Sequence, residues 1–232
     1  MTLDYAYFAA ASTLIHSAQG AALLLLGAAE AAELEKPGTR WAYLGPAALL
    51  AAAAATPLLM LALPGRWDPA LLRLALEARR GFHIFIAFAC LFGAAGLARL
   101  TQLLLGREGG GWRAAFLAFL AFSGVLYFAT ASRVNESAWR QVLFWHSAAG
   151  ATLLLAVALK AAGLFYPRRW LLTGWAGLLI AAGVQLLAYR ETPDAFGLKL
   201  VTLQSAPDMP PPGARAPLFK DAGPADKERP GR

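Results

Sequence analysis

The sequence contains little charge and only one cysteine. Charged residues make up 15% of the 232 positions and hydrophobic residues 58%, so a soluble globular domain is a poor fit and a polytopic membrane protein is favoured. Cys90 alone can form neither an intrachain disulfide nor a thiolate metal cage. The formal net charge of +7 serves topology and lipid headgroups in such a protein, and no nucleic-acid-binding motif accompanies it.

Acidic residues are also missing from the interior of the long apolar runs. Glu77 and Glu136 lie at run borders on one side of the predicted membrane, and the cluster beginning at Glu30 lies on the other. This pattern argues against a di-iron carboxylate bundle and against a carboxylate-driven proton pump or symporter. The sequence lacks a Ser-His-Asp set, a phosphate-binding glycine loop and a Cys-x-x-Cys pair as well.

Six apolar runs reach the length of about 20 residues that a membrane-spanning helix needs. We therefore predict an all-α bundle of about six transmembrane helices over residues 1–190 and a Pro-rich, mostly disordered tail over residues 191–232. Tryptophans cluster at the run borders, as expected for an aromatic belt. The predicted spans are residues 5–29, 41–63, 81–105, 112–131, 141–162 and 170–189.

With six spans, both termini and the loops after the second and fourth spans share one face, here named the tail side. Lys and Arg counts near the two faces are equal, so they do not orient the chain. The connector 66–80 predicts a surface helix, because Arg66, Arg73 and Arg80 recur every seven residues and Glu77 can pair with Arg73. A solvated connector is the alternative. An arginine-faced surface helix suits an anionic cytoplasmic leaflet, so we expect the tail side to be cytoplasmic in a prokaryotic plasma (inner) membrane.

The three histidines, His16, His83 and His146, all lie in predicted spans that start from the tail side. An ionisable side chain within a membrane is costly and marks a functional site by default, although it can also bridge helices. At 1.5 Å per residue, the run borders place His83 and His146 within about 5 Å in depth and His16 about 9 Å deeper than His146. Depth thus favours pairing His83 with His146. The local sequence instead favours pairing His16 with His146, because each is the first residue of a His-Ser-Ala-x-Gly segment.

Two imidazoles that face each other across a helical bundle suit a b-type haem, whose iron takes one nitrogen on each axial side. Gly20 and Gly150 each follow a histidine by four residues, where a flat ring could approach the backbone. The predicted cofactor-binding residues are His83, His146, His16, Gly20 and Gly150, with the three histidines as metal ligands. Binding of a single copper, zinc or iron ion by the three imidazoles stays open.

This pattern resembles the haem-b membrane subunits of respiratory complexes over the first, third and fifth spans. The resemblance implies haem b as cofactor, and electron transfer among a quinone pool and a partner redox subunit without bond chemistry in the chain itself. Two-haem members have four axial histidines, so three allow one bis-histidine haem and a spare imidazole for a quinone oxygen. The alternatives are a cofactor-free structural subunit or assembly factor, and a small-solute or metal transporter with a helix break at Thr56-Pro57.

An internal duplication is a further hypothesis. Residues 15–32 and 145–162 align without gaps and share His, Ser, Ala, Gly and several Leu. A composition rich in Ala and Leu produces such matches by chance as well, so the alignment alone leaves the repeat open.

Overall fold

The computed structural model describes residues 4–106, 110–130, 134–192 and 195–196. Within these ranges the chain forms seven α-helices, six of them long and apolar enough to cross a membrane, which confirms the predicted all-α architecture. The helices are α1 Tyr5–Glu35, α2 Leu44–Ala62, α3 Pro69–Ala78, α4 His83–Leu105, α5 Gly110–Ala129, α6 Glu136–Phe165 and α7 Arg169–Ala188.

The six long helices form a closed ring in chain order. Each packs against the next long helix along the chain, and α7 returns to pack against α1. Because neighbours in an up-and-down bundle are antiparallel, α1, α4 and α6 run in one direction, starting from the tail side. All six contribute large side chains to the interior at 1% exposure or less, including Leu23, Leu49, Phe88, Phe116, Leu153 and Trp175.

The helix borders follow local chemistry. Asp4 caps α1 by accepting a hydrogen bond from the Ala6 amide at 2.9 Å. The five tryptophans at the predicted borders are all exposed, as an aromatic belt requires: Trp41, Trp67, Trp112, Trp139 and Trp170. α2 continues through Pro57 without a break, so the transporter alternative loses the mid-membrane break on which it depended.

A helix forms in the connector where a surface helix was predicted, but it is shorter than the segment over which the arginines recur. α3 begins at Pro69 and ends at Ala78, with Leu71 and Ala75 buried. Arg73 and Glu77 pair at 3.1 Å, as predicted. Arg66 and Arg80 lie outside this helix, so the three arginines do not form the stripe expected from their spacing.

The packed bundle continues beyond residue 190. The amide of Asn135 donates to the carbonyl of Ala195 at 3.2 Å. Phe196 is buried, with its ring centre 5.4 Å from that of Phe82. Phe196 thus packs against the tail-side end of the bundle through an aromatic contact, and the domain boundary at residue 191 stays a prediction. Residues 197–232, the rest of the predicted tail, lie outside the described residues.

Gly20 and Gly150 face neighbouring helices. A Cβ added at Gly20 would lie 2.7 Å from the carbonyl oxygen of Gly183 on α7. A Cβ at Gly150 would likewise lie 2.7 Å from the carbonyl oxygen of Gly124 on α5. Small residues at such crossings let membrane helices approach closely. These two positions therefore leave no open slot for a flat ring, contrary to the expectation from their spacing after the histidines.

The glycine contacts give a first testable prediction. Gly20→Ala should lower the free energy of unfolding in detergent by about 1–3 kcal/mol, because the new methyl group meets backbone atoms that cannot rotate away. Gly177→Ala on α7 is the matched control, since nothing lies within 4 Å of its added Cβ. The control should be neutral or stabilising by up to about 1 kcal/mol through helix propensity. Equal losses in denaturant titrations of the two variants would contradict this packing.

Candidate histidine site

His16 of α1 and His146 of α6 meet inside the helix ring. Their Nε2 atoms lie 3.0 Å apart, and the side chains are 3% and 4% exposed. The ring centres are 5.0 Å apart, farther than the Nε2 atoms, so each imidazole points its Nε2 at the other. The structure therefore brings together the pair that the sequence match favoured.

The hydrogen bonds of the outer ring nitrogens constrain the protons of this pair. His16 Nδ1 lies 2.7 Å from the carbonyl oxygen of Ser12, and His146 Nδ1 lies 2.9 Å from that of Val142. A carbonyl oxygen only accepts, so each Nδ1 must carry hydrogen, which leaves a lone pair on each Nε2 of a neutral ring. Two lone pairs at 3.0 Å repel each other. A hydrogen on one of the two Nε2 atoms, or a metal cation bound by both, would relieve this repulsion.

Aromatic side chains enclose the pair. The Tyr189 ring centre lies 4.8 Å from that of His16 and 4.9 Å from that of His146. Phe85 packs edge-on to His16 at 5.6 Å. The adjoining cavity of about 30 Å³ also borders Glu191 and Phe196, and its volume would fit one or two water molecules. Its lining residues place it toward the tail-side end of the bundle.

A buried amide near the pair has an unsatisfied donor. Tyr127, whose ring centre lies 5.9 Å from that of His146, donates its hydroxyl to Gln19 Oε1 at 3.1 Å. Gln19 is 1% exposed, and its Nε2 has no hydrogen-bond partner in the part of the chain that the structure describes. Because an unpaired buried donor is costly, this amide suits a nearby acceptor such as water or a ligand oxygen.

His83 does not join the pair. It is the first residue of α4 and exposed, with Nδ1 2.9 Å from the Arg80 carbonyl oxygen. The depth argument that paired it with His146 is wrong because α6 begins at Glu136, five residues before the predicted border. His146 is thus the eleventh residue of α6 and His16 the twelfth of α1, which gives them equal depth. Across the described ranges, no cluster of three or more His, Cys, Asp or Glu side chains could hold a metal ion.

A second polar cluster lies at the opposite end of the bundle. Buried Glu30 accepts hydrogen bonds from Lys160 Nζ at 2.6 Å and Trp175 Nε1 at 2.9 Å, and it also pairs with Arg99. The predicted first span ended at residue 29, whereas α1 continues past Glu30. Arg99 and Lys160 lie within predicted spans, but no local pattern indicated that they would pair with Glu30. All three side chains are buried or nearly so.

The two clusters join residues with the same separation along the chain, and the internal duplication stays a hypothesis. His16 and His146 are 130 positions apart, and so are Glu30 and Lys160. Corresponding residues of the aligned segments thus contact each other at both ends of the bundle. This constant offset is also the sequence signal that could have identified the Glu30–Lys160 pair in advance.

Glu191 borders the candidate site, and the sequence analysis did not single it out. Its Oε2 accepts a hydrogen bond from Ser12 Oγ at 2.7 Å, and its Oε1 accepts one from the Tyr189 hydroxyl at 2.7 Å. Burial raises the pKa of the Glu191 carboxyl. No local pattern marks this residue, because the chain reaches the cavity only after leaving α7.

Comparison with known proteins adds no assignment: no family model matches the chain, and no curated protein or solved structure does either. The functional interpretation therefore depends on the geometry of the two histidines, the aromatic side chains around them and Glu191.

Proposed function

We propose that this integral membrane protein is a b-type cytochrome subunit in which His16 and His146 would hold one haem. The supporting observation is the convergence of their Nε2 atoms at 3.0 Å while both Nδ1 atoms donate to backbone carbonyls. Ligating histidines are commonly oriented by such a bond from the other ring nitrogen. Haem would supply one-electron chemistry, and the chain would pass electrons between a quinone pool and a partner redox subunit.

The donor atoms suit a haem iron, whereas the packing around them does not yet admit the porphyrin. Two imidazole nitrogens are a donor set that a b-type haem takes, but here the Nε2 atoms lie 3.0 Å apart, close enough to contact each other directly. The adjoining cavity measures about 30 Å³. Haem binding would therefore require the two Nε2 atoms to move apart and the side chains around them to rearrange.

Two further features support a ligand with acceptor oxygens near the pair. The buried Nε2 of Gln19 has no partner among the described side chains and could donate to a quinone carbonyl or a haem carboxylate. Exposed His83 lies at the start of α4 and keeps its proposed role toward a quinone oxygen at the surface. Because Arg99 and Lys160 are buried ion-pair partners, fewer free cations remain near the face opposite the tail side, which supports a cytoplasmic tail side.

A second candidate function follows from the same distance. A separation of 3.0 Å is also that of an N–H···N hydrogen bond, and the cavity is water-sized. In this case the pair shares one proton, and the protein is a cofactor-free structural or assembly subunit with a buried cation. The close packing around the rings favours this candidate. The hydrogen bonds of the two Nδ1 atoms are compatible with either candidate function and do not separate them.

The reduced-minus-oxidised visible spectrum of purified protein separates the candidates. Protein from haem-supplied membranes should show the absorption bands of a low-spin b-type haem at about one haem per chain. Metal analysis of the same sample identifies iron, copper or zinc. A sample with neither haem nor a stoichiometric metal would overturn the electron-carrier proposal and leave the shared proton.

A further inference from the structure

A polar pocket lies at the end of the bundle opposite the histidine pair. Its volume of about 240 Å³ is several times the roughly 30 Å³ that one water molecule occupies in the liquid. Four helices supply the lining side chains, which are Glu30, Glu33 and Leu34 from α1, Arg99 and Gln102 from α4, Arg113 from α5, and Lys160 from α6. The pocket is therefore formed by the converging helix ends and has room for a group larger than water.

Arg99 is buried, yet one of its donors has no acceptor. Its side chain is 8% exposed, with Nη1 donating to Gln102 Oε1 at 2.9 Å and Nη2 to Glu33 Oε2 at 3.1 Å. The Nε atom is buried as well and has no hydrogen-bond partner among the described residues. An unsatisfied buried donor is costly, and a charged one especially so. An anion with several oxygen atoms is the acceptor that a guanidinium binds most strongly.

Lys160 also has donor capacity left over. An ammonium group carries three N–H donors, and Glu30 Oε2 accepts one of them at 2.6 Å. The Nζ atom lies 5.6 Å from the ring centre of Trp175, so the ring covers part of the ammonium. The side chain borders the pocket and is 17% exposed. A ligand oxygen in the pocket would therefore meet a second donor cation.

The charges that line the pocket do not cancel. Glu30 and Glu33 match Arg99 and Lys160, with which they form ion pairs. Arg113 adds a third cation. It is exposed, and its guanidinium has no ion pair or hydrogen bond within the part of the chain that the structure describes. Three cations against two carboxylates leave one positive charge on these lining residues, which an anion of single charge would balance.

The position of Arg113 indicates what kind of anion is at hand. Arg113 follows Trp112, an exposed tryptophan of the aromatic belt in the first turn of α5. Such tryptophans lie at the level of the lipid headgroups. Basic pockets between membrane helices are known to bind phosphate-bearing headgroups. A phosphodiester carries one negative charge, which equals the excess positive charge of the pocket.

We infer that this pocket binds a phosphate group, supplied by the headgroup of an anionic phospholipid or by free phosphate. Arg113 provides the unbalanced positive charge, and Arg99 Nε and Lys160 Nζ provide the donors that lack acceptors. The site lies at the other end of the bundle from His16 and His146. The inference is therefore independent of haem and of the proposed electron transfer.

Calorimetric titration of the delipidated full-length protein in detergent tests the site. Short-chain phosphatidylglycerol and inorganic phosphate are titrated separately, each against a detergent blank. Wild type should bind one phosphate-bearing molecule per chain. Arg113→Gln should weaken that binding about tenfold or more, because a charge-assisted hydrogen bond is lost. Arg168→Gln is the matched control and should bind as wild type, since Arg168 is an exposed arginine at the same end that does not line the pocket.

Arg113→Lys keeps the positive charge and should recover part of the affinity. Because the Arg113 side chain is exposed and outside the buried ion pairs, its variants should fold as wild type, which circular dichroism checks. Binding of phosphatidylglycerol alone would support the site with a lipid headgroup as ligand, and binding of inorganic phosphate would support it with a soluble ligand. Binding of neither, or equal weakening in Arg113→Gln and Arg168→Gln, would overturn the inference.

Discussion

His16→Ala and His146→Ala should each reduce the haem difference spectrum to background, whereas His83→Ala should retain it. Each of the first two changes removes one of the converging Nε2 atoms, and low-spin bis-imidazole iron needs both. His83 is the matched control because it is the remaining histidine of the chain, at the same end of the bundle, and is exposed. Spectra of the three purified variants, normalised to protein, measure the effect.

The result also decides which nitrogens bind the iron. Loss of the spectrum in His83→Ala together with retention in His16→Ala would show that the haem uses a different pair. The proposed site would then be wrong even though the protein is a cytochrome. Circular dichroism of each variant separates loss of haem from loss of helix.

Glu30→Ala should give the largest loss of stability, about 3–5 kcal/mol, because it leaves buried cations without their shared carboxylate. Glu30, Arg99 and Lys160 have side chains only 6%, 8% and 17% exposed, and Trp175 also loses its acceptor. In lipid such groups cannot turn to water without disturbing the helix ends. Unfolding of the reconstituted or detergent-solubilised protein by denaturant measures the difference.

Glu35→Ala is the matched control for this change. Glu35 also lies at the end of α1 and also pairs with an arginine, Arg169, at 3.1 Å, but both side chains are 73% exposed. An exposed ion pair contributes about 0–1 kcal/mol, so its removal should have little effect. Similar losses at the two positions would mean that the Glu30 cluster is solvated and does not stabilise the bundle as argued here.

Much of the fold could be predicted from composition and periodicity. Apolar runs longer than about 20 residues must pair their backbone groups within a helix when they cross lipid, so their length gives the number of spans. The tryptophans and the Arg73–Glu77 pair followed from the same local reasoning. The borders were less accurate, because α1 and α6 extend beyond their apolar runs into polar residues that become buried.

The site was predicted only in part. The sequence identified His16 and His146 as candidates, and their shared flanking residues suggested the pairing that the fold produces. The predicted depth of His146 in the membrane was wrong, because the fifth span was predicted to begin at residue 141. α6 begins about one and a half helical turns earlier. Gly20 and Gly150 were expected to face a flat ring, but each faces the backbone of a neighbouring helix. Spacing along one helix does not specify what packs against it.

The sequence by itself determined a six-span helical membrane protein with costly imidazoles near one end, because hydrophobic length and intramembrane charge are properties of local segments. Only the tertiary structure decided that α7 closes the ring on α1, that His16 meets His146, and that Glu191 returns to their cavity. Those contacts join residues more than a hundred positions apart. Their geometry follows from how six helices pack around one interior, which no local pattern encodes.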